Sequence, residues 1–293
     1  MDKSLEGFAL DLGGTKLAAA RFSKNQLVEK AQIPTQADAP FEDLCAAMEK
    51  LLANLGFRHG DRLGVALTGC VDQSGLWSAV NGETLPQIKN IDVRNALQLR
   101  FGDRVSLIND AAAAACGEAH FGAGRNISRF GYITISTGVG GGIVLDGQPL
   151  ISPNGLAGHI GFMRSPLGDQ MCGSGRFGTV ESVAGGRALA AAAAALGHEE
   201  FDAKAIYAAH QDGSQWASQL ITRAAHAIAI QIADLTSIFA LQRIAIGGSI
   251  GLADGFIQLI TDQLATEPTI FQPELHPAKL GNDSPLFGAL CVG

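Results

Sequence analysis

With 293 residues, 47% hydrophobic and 17% charged, the chain has ample apolar material for one large or two ordinary domains and no compositional mark of disorder. Its net charge of −7 argues against a nucleic-acid groove built on phosphate neutralisation, but not against a nucleotide held by backbone N–H groups and a metal. Five scattered cysteines (Cys45, Cys70, Cys116, Cys172, Cys291) follow neither disulfide-framework nor C-x-x-C spacing, and neither a signal segment nor a membrane span is legible, so a cytoplasmic protein is expected.

In chain order, GFALDLGGTKLAAARF (7–22) predicts strand, tight turn, strand. FEDLCAAMEKLLANL (41–55) has apolar positions at helical spacing, and RLGVALTG (62–69) reads as a strand before a Gly-, Asn- and Pro-rich loop. VSLIND (105–110) is a strand running into a helix, AAAAACGEAHFG. YITISTGVGGGIVLDG (132–147) then repeats the opening strand–turn–strand pattern, which suggests a duplicated domain with a cleft between the halves. Helices are expected at 180–196, 214–240 and near 252–266, with the strand RIAIGG before the last of them. The C-terminal PLFGALCVG is expected to pack as a helix on the N-terminal half. Strands alternating with helices make this an α/β protein.

The 37 glycines gather in knots rather than linkers. Asp11-Leu12-Gly13-Gly14-Thr15-Lys16 is not a Walker A loop, yet its turn can aim N–H groups and the Thr15 hydroxyl at a phosphate, with Asp11 beside Mg²⁺. A hairpin with an idle aspartate fits these residues equally well. The turn Ser136-Thr137-Gly138-Val139-Gly140-Gly141-Gly142 matches it, and two such turns favour a double phosphate clamp over flexible hairpins. Gly247-Gly248-Ser249, between strand and helix, offers flat backbone to an adenine or ribose. Asn109 and Asp110 stand where strand meets helix. Either caps well there, and the helix N-terminus also keeps a carboxylate ionised as a proton acceptor. His159 lies among glycines in GLAGHIG, which favours a ligand-facing loop, and Glu181 opens a helix. The string CGSGRFG (172–178) contains G-x-G-x-x-G, but no strand precedes it, so a dinucleotide site is excluded.

Taken together, LDLGGTK, LIND, STGVGGGIV, GLAGHIG, GSGRFGTVE and AIGGS stand in the order and spacing of the ROK family of sugar kinases, which the chain resembles along essentially its whole length. The resemblance implies the actin-like (ribonuclease-H-like) two-domain ATPase fold, with residues 1–118 plus about 272–293 as the small domain and 119–271 as the large one. It implies ATP and Mg²⁺ as cofactors, a sugar substrate, no nucleic-acid or membrane partner, and a homodimer. Asp110 would be the catalytic base on the sugar 6-hydroxyl, with Asn81, Asn109, His159 and Glu181 holding the other hydroxyls. The segment Ala9, Leu10, Asp11, Leu12, Gly13, Gly14, Thr15, Lys16 and the turn Thr137, Gly138, Val139, Gly140, Gly141, Gly142 would surround the nucleotide phosphates. Gly247, Gly248 and Ser249 would border the adenosine.

Two departures from the family pattern matter. Leu156 stands where many members carry a glutamate, which suits a partly apolar N-acetyl substituent and shifts weight from glucose towards an N-acetylhexosamine without separating mannosamine from glucosamine. The resemblance is greatest to members that act on N-acetylmannosamine, which makes that sugar the expected substrate, with N-acetylglucosamine, glucose or fructose as alternatives. Zinc-bearing members have C-x-C-x₄-C with a histidine as fourth ligand; here Cys172, Ser174 and Thr179 occupy those places. With His159 and Cys172 as partial remnants, no structural zinc is expected. A sugar-sensing repressor is disfavoured because nothing before Phe8 has room for a helix-turn-helix, and a non-catalytic sensor because Asp110 and both turns are intact.

Overall fold

The computed structural model describes residues 5–82 and 84–292. Strands β1 (Gly7–Leu12), β2 (Lys16–Ser23) and β3 (Gln26–Pro34) run antiparallel, followed by helix α1 (Phe41–Asn54). Strand β4 (Leu63–Leu67) returns parallel to β1. A small sheet of β5 (Cys70–Val71), β6 (Leu76–Ser78) and β7 (Ile91–Asp92) leads to α2 (Val93–Phe101). Strand β8 (Val105–Asn109) completes the order β3-β2-β1-β4-β8, and α3 (Asp110–Phe121) leaves the sheet from its C-terminal end.

The second half repeats this plan. Strands β9 (Arg129–Ile135), β10 (Val139–Leu145) and β11 (Gln148–Pro149) are antiparallel. A long loop and helices α4 (Glu181–Ala184), α5 (Gly186–Ala195), α6 (Ala203–Gln211) and α7 (Gln215–Phe239) follow. Then come β12 (Arg243–Gly247), parallel to β9, α8 (Phe256–Leu264) and β13 (Glu274–Pro277), giving β11-β10-β9-β12-β13. The two sheets share one connectivity, so the duplication read from the paired strand–turn–strand segments is present. Helix α9 (Ser284–Ala289) packs back against α3, β1 and β4, as expected for the C-terminus. Strand β13 lies within 272–293 yet hydrogen-bonds to β12, so the chain leaves the second sheet only after Pro277.

The alanine run has a packing reason. Helix α3 is covered on nearly all sides, so it needs no apolar stripe, only small side chains. A Cβ on Gly288 would lie 1.6 Å from the Ala113 carbonyl oxygen, and one on Gly117 2.3 Å from that of Ser284, which is how closely α9 and α3 approach. The N-terminus of α3 is capped by Asn109, whose Oδ1 accepts from the Ala112 N–H at 3.0 Å. Strand β1 is buried from Phe8 to Leu12 because it is central, whereas β3 is a charged edge strand.

The helix expected over 180–196 is broken at Gly185, whose backbone is extended. The break docks the start of α5 on the β9–β10 turn: Gly186 and Arg187 N–H donate to the Ser136 and Thr137 carbonyls at 2.8 and 3.1 Å. Among the described residues no helix is long and apolar enough to cross a membrane.

Candidate active site

Parallel strands of both sheets end at a shared cavity of about 350 Å³, the usual place for a ligand in α/β folds. Gly13 to Lys16 line one wall, and Thr137 to Gly141 line the facing one. Thr68, Asn81, Asn109, Asp110, His159 and Glu181 also border it. Residues from five of the six family-like motifs thus meet in one space.

Asp110 is the first residue of α3. Its Oδ1 accepts from the Ala111 N–H at 2.8 Å and from Asn109 Nδ2 at 3.0 Å, and the Thr68 side chain also donates to the carboxylate. Burial outweighs these donors and pushes the carboxyl up to about 6. Asn109 therefore caps the helix and orients the carboxylate together, while its Nδ2 also donates to the Gly69 carbonyl at 2.9 Å. Asp11, near the end of β1, is pushed up to about 7, first by burial and then by the charge of Asp110, against the pull of Lys16 and Lys30. Two buried carboxylates facing one cavity are short of positive charge.

Glu181 joins the second turn to this centre. Its Oε2 accepts from the Val139 N–H at 3.1 Å, and a Cβ on Gly138 would lie 2.4 Å from the same oxygen. Gly138 is thus glycine because a carboxylate occupies the space a side chain would take. The glycines that follow serve packing as well. A Cβ on Gly142 would lie 2.7 Å from Ala115 Cβ, one on Gly141 2.3 Å from Ile160, and one on Gly140 3.3 Å from Ala111 Cβ. Gly142 lies behind the cavity wall.

His159 Nδ1 lies 3.1 Å from the Leu156 carbonyl, and its ring stacks on Phe162 with centroids 5.9 Å apart. Burial holds the imidazole below its usual range, against nearby carbonyls that pull the other way. Leu156 itself is 51% exposed and borders no part of the cavity, so the apolar sugar contact expected of it is not made. Asn81 packs its side chain against Gly173, where a Cβ would fall within 2.2 Å of it.

Ala9, Leu10 and Leu12 are fully buried in β1 and support the turn from behind. Gly247, Gly248 and Ser249 lie beyond the rim; Ser249 Oγ is 3.1 Å from Ser136 Oγ, which itself borders the cavity. Thr68, Gly69, Tyr132, Phe162 and Arg187 are cavity residues that sequence reading missed. For Thr68 and Gly69 a signal existed, since they follow a parallel strand; for the others none did.

The 172–178 segment is a compact turn. Gly175 and Gly178 have φ of +77° and +68°, and the Met171 and Phe177 backbones bridge. Cys172 Sγ lies 3.0 Å from Ser174 Oγ, while Thr179 Oγ1 accepts from the Ser182 N–H at 3.2 Å. One thiol, one imidazole and two hydroxyls are not the donor set of a closed zinc site. Among the described residues no three His, Cys, Asp or Glu side chains are grouped to hold a metal.

A model of the ROK family matches residues 7–292, and the chain belongs to that family of sugar kinases. It is 37% identical over 281 residues to an N-acetylmannosamine kinase of Haemophilus influenzae, covering 96% of this chain and 93% of that one. Among solved structures, a ROK hexokinase from Thermus thermophilus superposes with a TM-score of 0.85 at 31% identity, over 98% of both chains. A ROK-family glucokinase from Streptomyces griseus, in complex with glucose and AMPPNP, does so with a TM-score of 0.81 at 25% identity, over 97% of both. The fold is therefore the actin-like one of these kinases.

Proposed function

We propose that the protein transfers the γ-phosphoryl group of ATP to the 6-hydroxyl of N-acetylmannosamine, giving N-acetylmannosamine 6-phosphate for the breakdown of sialic acid. The observation that carries the kinase reading is Asp110, tuned to about 6 and set between two glycine turns. The choice of sugar is supported by the N-acetylmannosamine kinases that share 35–39% identity with the chain over 96% of its length.

The sugar lies against Asn81, Asn109, His159 and Glu181, with its 6-hydroxyl at Asp110. As the 6-oxygen attacks the γ-phosphorus and the bond to the ADP oxygen breaks, the Asp110 carboxylate takes the hydroxyl proton. A base with a pKa just below neutral is mostly ionised at pH 7 yet still accepts a proton readily. The Gly14 and Thr15 N–H groups on one side, and those of Thr137 and Gly138 on the other, face the phosphates; positioning and charge do most of the work in this reaction. Gly13 N–H is already committed to the Lys16 carbonyl at 2.9 Å. The cation-poor carboxylate of Asp11 fits Mg²⁺ held through water. Bound there, Mg²⁺ would neutralise phosphate charge. Gly248 and Ser249, at the rim, border the adenosine.

We further propose a zinc-free homodimer acting in the cytoplasm, with two domains closing over the ligands. An ADP-release assay over N-acetylmannosamine, N-acetylglucosamine, glucose and fructose tests the function. The highest kcat/KM is expected for N-acetylmannosamine; turnover no better than with glucose refutes the sugar assignment, and no turnover with any sugar refutes the kinase.

A further inference from the structure

Glu118 is fully buried in α3, about 12 Å along the same helix from Asp110, and it does not line the cavity. Its carboxylate accepts four hydrogen bonds, all from outside α3. Oε2 accepts from the Ala123 N–H at 2.8 Å and the Lys279 N–H at 3.1 Å. Oε1 accepts from the Leu280 N–H at 2.7 Å and from the Ser284 hydroxyl at 2.8 Å, a hydroxyl shared with the Gly281 carbonyl. A Cβ on Gly122 would lie 1.9 Å from Oε2, so only glycine leaves room there for the carboxylate. Such a set of donors is what a buried carboxylate needs to offset its lost hydration.

The donors lie on the two segments that join the halves of the molecule. The chain leaves the first sheet through α3, crosses at 122–128 and enters the second sheet at β9; it returns at 278–283, between β13 and α9. Each crossing is also tied to a sheet. Arg243 of β12 donates to the Ala123 carbonyl at 2.9 Å, the Ala278 N–H donates to the Ile246 carbonyl at 2.8 Å, and Lys30 of β3 pairs with Asp283. One carboxylate therefore grips both crossings, on the helix whose first residue is Asp110. Phosphoryl transfer needs Asp110, from the first half, and the Thr137–Gly141 turn, from the second, in register. A misplacement of about 1 Å can cost about 10²-fold in rate.

We propose that Glu118 is a positioning residue: by holding both crossings on α3 it fixes the angle between the halves, and with it the distance from Asp110 to the second glycine turn. This rests on the kinase reading above. Glu118→Gln keeps the shape but exchanges an acceptor oxygen for a donor, so at least one backbone N–H loses its partner. Amide exchange read by mass spectrometry, without substrate, should quicken about tenfold at both 122–124 and 278–281. Quickening at one crossing alone, or no more there than in β12, overturns the proposal.

In kinetics at saturating ATP, with the fastest sugar of the panel above, kcat of Glu118→Gln should fall about tenfold or more. The sugar KM should rise by no more than about threefold, since transfer depends more sharply on distance than hydrogen bonding to hydroxyls does. A wild-type kcat in a folded variant, even one that melts lower, makes Glu118 a stabiliser only and overturns the proposal, as does a loss carried by KM alone. Should Glu118→Gln fail to fold, Ser284→Ala, which removes one of the four donors, carries both measurements with the same signs and smaller factors; a wild-type kcat there overturns it. If the wild-type protein turns over no sugar, the kinase reading fails and the positioning role with it, while the exchange still decides whether the grip exists.

Discussion

Replacing Asp110 by Asn removes a proton acceptor while leaving the shape of the site nearly intact. The Asn side-chain oxygen keeps the bonds from Ala111 N–H at 2.8 Å and Asn109 Nδ2 at 3.0 Å, and the Thr68 hydroxyl can turn to accept from the new amide. A positioned base supplies about 10²–10⁴-fold of rate, so kcat/KM at pH 8 should fall by that factor. Stability should move the other way. Lifting the carboxyl from 3.8 to about 6 corresponds to about 3 kcal/mol against the ionised folded form, a ceiling because the cavity is open to water. For a carboxyl raised in the folded state, the contribution to stability is full below about pH 4 and is lost as pH rises through about 6. The variant should therefore melt higher than wild type at pH 8 and level with it near pH 4. ADP release and thermal melts at both pH values check this. A loss of activity below about tenfold, or a variant that melts several degrees lower at pH 8, refutes the assignment of Asp110 as a buried base.

Three other outcomes are expected. With ATP saturating, kcat/KM for the sugar should rise with pH through about 6, where Asp110 ionises, and level off above it; a profile flat from pH 5 to 8 contradicts this. Gly138→Ala drives a methyl to within 2.4 Å of Glu181 Oε2 and should push that carboxylate off the Val139 N–H. Sugar KM should then rise about tenfold or more while the melting temperature barely moves, and an unchanged sugar KM removes Glu181 from the sugar site. Metal analysis of the purified protein should find zinc far below one atom per chain, whereas stoichiometric zinc refutes the zinc-free 172–179 turn.

The parts legible in the sequence were those where backbone demands and chemistry coincide. Asp110 shows because a strand running straight into a poly-alanine helix has few other ways to begin that helix. The two turns show because glycine between apolar strand segments has no packing reason visible locally. The reason for three of those glycines was nevertheless hidden: Gly140, Gly141 and Gly142 meet Ala111, Ile160 and Ala115, contacts that exist only once α3 and the 160s loop are in place. Strand β3 was missed because an exposed edge has no apolar alternation, its nine residues including none that is buried. The break at Gly185 looked like one continuous helix because docking onto Ser136 and Thr137 is a tertiary effect. Arg187 gave no signal, since neither its spacing nor its neighbours mark it before folding.

The central claim is tested most directly by identifying the product. Incubating the protein with ATP, Mg²⁺ and N-acetylmannosamine and recording a ³¹P–¹H correlation spectrum should show one new phosphate ester coupled to the two protons at C6. A phosphate coupled to the anomeric proton, or ATP left unconsumed beside intact sugar, contradicts it.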